Sequence, residues 1–153
     1  MLRFEGDRDF ALAPEALLAK LTDARFLVQV IPDVDSVPDL QPDRATLVLR
    51  PGFAFVRGTL DVTMQIIPDA KTMSSARVLL ESRGIGSSSQ VEATLTISPQ
   101  QEPPGSRVHW TAEVKSLGGL LKLVPGGLIR GAAEKVINDA WNRIGEKLAP
   151  PAS

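Results

Sequence analysis

The chain has no cysteine and no tyrosine among its 153 residues, and one histidine. The first absence excludes disulfides, thiol nucleophiles and thiolate metal sites. With a single histidine as well, the stock of general acids and bases is thin. An excess of one charge is also lacking. The net charge is −1, with Lys and Arg spread along the chain, so no electrostatic surface for nucleic acid is expected. No run of about 18 apolar residues occurs, so no segment is expected to span a membrane. Glu5, Asp7 and Asp9 interrupt any apolar stretch near the N-terminus, which therefore does not read as a secretory signal. The cytoplasm is the default compartment.

What is present is ordinary for a soluble domain: 43% hydrophobic and 23% charged residues. The length predicts one domain over residues 1–153 with a substantial core. The chain is organised around its last helix, expected over Pro125 to Leu148. Leu128, Ile129, Ala132, Ala133, Val136, Ile137, Ala140, Trp141, Ile144 and Leu148 recur in the paired step of four that marks an amphipathic helix. So broad an apolar face needs a large partner surface.

Upstream, Leu2, Phe4, Phe10 and Leu12 alternate with charged residues, as in a half-buried strand. Arg8 falls on the apolar parity. Either a bulge near Gly6 turns it outward, or it faces the interior edge. Pro14 opens a helix, and Asp23 reads as the N-cap of a second, Ala24 to Val30, stopped by Pro32. Pro38 and Pro42 limit the stretch from Asp33 to Asp43 to a short edge strand and a turn. Strands are expected at Thr46–Arg50, Phe53–Ile67, Lys71–Ser82, Gln90–Ile97 and Arg107–Lys115, with Gly118 to Gly127 as a link to the last helix. One strand, two short helices, about six antiparallel strands and a long helix give an α+β chain. Its twisted sheet curls around the only element large enough to cover it.

This order resembles the helix-grip fold of START-like lipid-transfer domains and polyketide cyclases. The opening Phe4-Glu5-Gly6, Ala13-Pro14-Glu15, Leu21-Thr22-Asp23 and Ile31-Pro32-Asp33 is similar to the N-terminal signature of the carbon-monoxide-dehydrogenase G-subunit family. Gly58, Gly84-Ile85-Gly86, Trp110-Thr111-Ala112, Leu117-Gly118-Gly119 and Leu128-Ile129 match its later pattern. Asp33 stands where that family has Gly. Some relatives carry a C-terminal membrane anchor; this chain stops at Ser153, so docking by a built-in anchor is not expected. The resemblance implies a non-catalytic accessory or carrier with an apolar cavity; no cofactor is expected. It also implies a peripheral membrane or oxidoreductase partner.

The expected cavity walls are the inward strand residues Val56, Leu60, Val62, Met64, Val78, Leu80, Val91, Leu95 and Trp110. The helix adds Ile129, Ala133, Val136, Ile137, Ala140 and Trp141. A filled core is the alternative, for which Trp110 and Trp141 have the bulk. The apolar, glycine-rich run from Leu117 to Gly127 is a candidate entrance, gated by Leu120, Leu121 and Pro125 with Phe26, Leu27 and Phe53 as neighbours. Such a run is otherwise a liability unless it folds onto the core. Lys122 and Arg130 flank it and suit lipid phosphates. Arg8 is a candidate polar anchor for a carboxylate or keto oxygen, and an ion pair with a nearby Asp is the other reading.

His109 should lie on the outer face, with too few partners for a metal. Asp33, Asp35, Asp39 and Asp43 read as a solvated loop, because no motif closes around them for calcium or acid/base chemistry. Gly84 to Ser89 lacks the Lys and helix of a phosphate cradle and reads as a hairpin turn. No catalytic residue emerges. A binding module, a cyclase or dehydratase, and a docking protein with a filled core remain as readings.

Overall fold

The computed structural model describes residues 2–50, 58–69, 74–102 and 104–148. The elements run β1 (Arg3–Phe10), α1 (Pro14–Leu21), α2 (Ala24–Leu27), β2 (Val34–Gln41), β3 (Arg44–Leu49), β4 (Leu60–Pro68), β5 (Ser75–Gly84), β6 (Ser87–Gln100), β7 (Gly105–Gly119), a 3-10 turn (Leu120–Leu123) and α3 (Gly126–Leu148). The seven strands form one curved sheet in the order β1-β7-β6-β5-β4-β3-β2. Every pairing is antiparallel. This is the architecture expected from the alternation, with the long helix closing the concave face.

The register explains which side chains enter the core. Val91, Ala93, Leu95 and Ile97 of β6 sit opposite Val114, Ala112, Trp110 and Val108 of β7. Such cross-strand neighbours share one face. The concave face is sealed by Leu17 and Leu21 of α1, Leu27 of α2, and Trp141 and Ile144 of α3, all buried. The Trp141 ring lies 5.9 Å from Trp110 and 6.3 Å from Phe10, centre to centre. α3 runs along β1 in the same direction, with Arg8 Nη1 donating to Asn142 Oδ1 at 3.4 Å near its far end.

Several boundaries differ from the sequence reading. β7 continues past Lys115 to Gly119, because a register shift at Gln90/Val91 opposite Lys115 lets Ser87–Ser89 keep pairing with Leu117–Gly119. β2 is a full eight-residue edge strand, not a short one. Pro38 is accommodated where the register shifts between Ser36 and Asp39. The acidic set thus lies on and beside an exposed strand rather than in a loop. α2 stops at Leu27. The β1–β7 register is unbroken, so no bulge turns Arg8 outward. Gly6 instead serves close approach: a methyl there would come within 3.0 Å of the Trp110 ring. Asp33 has φ 64°, a left-handed conformation that glycine adopts freely and Asp tolerates.

α2 also sets an acid limit. Asp23 Oδ1 accepts the Arg25 backbone N–H at 3.0 Å and its Nε–H at 2.9 Å. The Arg25 side-chain hydrogen bond is the main cause holding the Asp23 carboxyl below the ordinary range. Arg107 does the same to Asp9. A carboxyl depressed in the folded state stabilises the fold above its unfolded pKa, and that stability is lost as pH falls through the folded value. The urea midpoint is therefore expected to fall below about pH 4. Asp23→Asn, which keeps a cap acceptor but does not titrate, should lose less of its midpoint over that range. Equal losses in both proteins would show that Asp23 is not part of the acid limit.

Candidate functional site

The turn between β7 and α3 is set by the backbone. β5 and β6 are joined by Ile85-Gly86, with φ of 56° and 67°, the double positive φ of a type I′ hairpin. The Gly86 carbonyl then accepts the Leu120 N–H at 3.0 Å. Gly119, with φ 63° and ψ −134°, makes the corner that brings Leu120 there. Pro125 follows, and its carbonyl accepts from Leu128 at 3.0 Å and Ile129 at 3.2 Å to start α3. The run therefore folds into a 3-10 turn without burying its side chains. Leu120, Leu123 and Leu128 are 56%, 79% and 52% exposed.

Beside this apolar rim lies an open cleft of about 460 Å³, lined by Leu2, Leu117, Leu121, Lys122, Val124, Gly126 and Ile129. Its one charged lining residue is Lys122. The neighbouring cations Lys115 and Arg130 are paired, with Glu92 and Glu113 and with Glu134 respectively.

A second cleft of about 370 Å³ follows along the seam between β1 and α3. Arg3, Phe4, Glu5 and Trp110 line it from the sheet, and Arg130, Glu134, Ile137 and Asn138 from the helix. The Arg130 guanidinium sits 5.0 Å from the Phe4 ring centre and 3.6 Å from Glu134. Trp110 is buried, and its Nε1 has no hydrogen-bond acceptor among the described residues. An unmet buried donor costs about 1–3 kcal/mol. The two clefts flank the N-terminal half of α3, which is seated on the core by the buried Ile129. The C-terminal half is seated by Trp141 and Ile144.

Of the expected walls, Val62, Met64, Val78, Leu95, Trp110, Ile129 and Trp141 are buried. Leu60, Leu80, Val91, Ala133, Val136, Ile137 and Ala140 are half-buried. Val56 and Phe53 lie outside the described residues. Ile129 lines the first cleft, and Trp110 and Ile137 the second. Of the expected gate, Leu121 lines the first cleft, while Leu120 and Pro125 are exposed beside it. Leu27 belongs to the core, and Phe26 lies under Lys20, 5.8 Å from its Nζ. Leu2 is a lining residue that the sequence reading misses. Its apolar parity with Phe4 is the available signal.

A third, polar groove of about 420 Å³ runs along the end of β5, β6 and β7, among Ser82, Ser87, Ser88, Ser89 and Ser116. Its hydroxyls are largely engaged with the protein: those of Ser82 and Ser89 bond one another, and Ser87 donates to the Gly84 carbonyl at 2.8 Å. His109 lies on the outer face, its Nδ1 2.9 Å from Asp7 and its Nε2 3.7 Å from Glu5. Among the described residues no group of metal-ligating side chains occurs. Among the described residues, Ser106, which donates to the Leu12 carbonyl at 2.6 Å, is the polar side chain in the buried set. No described helix is long and apolar enough to cross a membrane.

Comparison with solved structures places this architecture. A conserved protein from Geobacillus kaustophilus superposes with a TM-score of 0.81 at 21% identity, over 97% of this chain and 95% of that one. A START superfamily protein from Mycobacterium smegmatis gives 0.63 at 13% identity, over 95% and 96%. A STAR-related lipid transfer protein from Xanthomonas axonopodis, a fragment, gives 0.62 at 14% identity, over 97% and 86%. At these identities the likeness establishes the START-like helix-grip fold. No curated protein matches the sequence. The family model for the carbon monoxide dehydrogenase G-subunit (CoxG) matches residues 6–149, and the chain therefore belongs to that family.

Proposed function

We propose that this chain binds and carries a hydrophobic small molecule, of lipid, quinone or polyketide-like character, without turning it over. We propose further that it serves as an accessory to an oxidoreductase at a membrane. Family and fold suggest a ligand-binding or accessory role. The carrier reading rests on one observation, the open apolar cleft lined by Leu2, Leu117, Leu121, Val124 and Ile129 beside a rim of exposed leucines. Pockets for small molecules are typically apolar with few polar groups. Each methylene buried there contributes about 0.8 kcal/mol, so apolar contacts alone support binding of a long-chain or isoprenoid molecule. The cyclase alternative would need titratable groups meeting in a buried pocket, and the buried set among the described residues holds none.

Two measurements test the reading. Native mass spectrometry of the purified protein, followed by organic extraction, is expected to show an apolar compound bound. Titration with the neutral fluorophore N-phenyl-1-naphthylamine is expected to saturate, and Leu121→Ser should weaken it by about tenfold, the worth of roughly two buried methylenes. The variant should remain folded, because Leu121 is only half-buried. A wild-type protein that neither carries a compound nor binds the fluorophore would overturn the proposal.

A further inference from the structure

We infer that the second cleft is the polar end of the binding groove. There the Trp110 Nε1–H donates to a neutral oxygen acceptor, a carbonyl, on the carried molecule. This rests on the carrier reading and names the chemistry of the molecule's head. Leu2, just before β1, shares the apolar parity of Phe4, and Ile129 and Arg130 are successive on α3. The apolar cavity and the second cleft are therefore consecutive stretches of one seam. A molecule lying along it would set its alkyl part against Leu117, Leu121 and Val124, and its head beside Trp110.

Two features of the cleft select the head. First, the Trp110 N–H is buried and unpartnered among the described residues, and an indole nitrogen can only donate. Gly6 holds it that way: without a side chain, β1 lets the indole lie across it, and any methyl there would press on the ring. Second, the cleft's charges are already matched. Arg130 lies 3.6 Å from Glu134, and Arg3 lies 3.8 Å from Glu5. A carboxylate or phosphate would have to displace one of these acids. A carbonyl oxygen displaces no charge; it needs only a small shift of the indole that opens its buried N–H to the cleft. Phe4 and Ile137 supply apolar walls on either side of it.

The test uses the 15N-labelled full chain. It has two tryptophans, hence two indole N–H signals, which Trp110→Phe assigns. The probes are 2-nonanone, nonane and nonanoate. The expected result is a shift of the Trp110 indole signal on adding 2-nonanone but not nonane. Binding of 2-nonanone should weaken about fivefold in Trp110→Phe, the worth of one neutral hydrogen bond, with nonane unaffected. The wild-type shift stands independently of whether the variant folds well. If 2-nonanone binds while the Trp110 signal stays still, the subsite is wrong and the carrier reading survives. If nonanoate moves the signal and binds more tightly than 2-nonanone, the neutral head is wrong. If neither these probes nor N-phenyl-1-naphthylamine bind, the carrier reading itself fails and this inference with it.

Discussion

Trp141→Ala is expected to destabilise the protein by about 3–5 kcal/mol, the range for removing a large aromatic from a packed core. Trp141 is 7% exposed, and its ring packs against both Trp110 and Phe10. Aromatic pairs of this kind add about 0.5–1.5 kcal/mol each beyond the area they bury. The residue also has a positional role. It and Ile144 are the deeply buried side chains in the C-terminal half of α3, while the half from Gly126 to Asn138 stands beside the two clefts. Losing Trp141 should therefore loosen the whole helix from the sheet. For a domain of this size the cost corresponds to a fall in melting temperature of about 10–15 °C. Trp141→Phe should retain much of the contact and cost far less. Thermal and urea denaturation of the three proteins would decide it. A loss below about 1 kcal/mol for the alanine variant would mean that α3 is not held by this contact.

Gly119→Ala is expected to cost about 3 kcal/mol and to disturb the apolar cavity as well. Its φ of 63° with ψ −134° lies outside the left-handed region that other residues visit, a strain of about 1–3 kcal/mol for an L side chain. The added methyl would also land on the Gly86 carbonyl oxygen. That oxygen receives the Leu120 N–H, so the clash falls on the bond that seats the 3-10 turn. Leu121 and Val124 would move with it. The neighbouring Gly118→Ala is the control. Its methyl would meet only the Ser88 hydroxyl, the end of a side chain that can rotate away, and its φ is not positive. Its cost should stay below about 1 kcal/mol. Fluorophore affinity should drop in the first variant and hold in the second. Equal effects on stability would refute the geometric account.

The strands were legible where period two was clean. Val91 to Ile97 and Val108 to Val114 alternate without a break, and the register pairs them face to face. The helix stripe from Ile129 to Leu148 was equally plain. Legibility failed where tertiary pairing overrode a local signal. Gly118-Gly119 reads as a breaker, yet pairing with Ser87 and Ser88 carries β7 through it. Pro38 and Pro42 argue for no more than a short edge strand, yet a shifted register lets β2 run for eight residues. The inward aim of Trp110 followed from parity, but its missing acceptor did not, because hydrogen-bond satisfaction depends on what the fold brings near. The clefts were illegible for the same reason. One apolar stripe is compatible with a helix that fills every space beside the sheet, or with one that leaves clefts along its flank.

β2 is also an outer border of the sheet, and seven of its eight residues are exposed. A strand so placed presents unpaired backbone groups on which another chain could build. Val37 and Leu40 even offer apolar side chains there. What opposes such growth is on the same strand: Pro38, which lacks an N–H to offer, the irregular register around it, and the carboxylates Asp35 and Asp39. The acidic, proline-spaced stretch, which resembles neither a catalytic nor a calcium-binding loop, thus has a physical use. It opposes growth of the sheet at this border, at the opposite edge from the seam between β1 and α3.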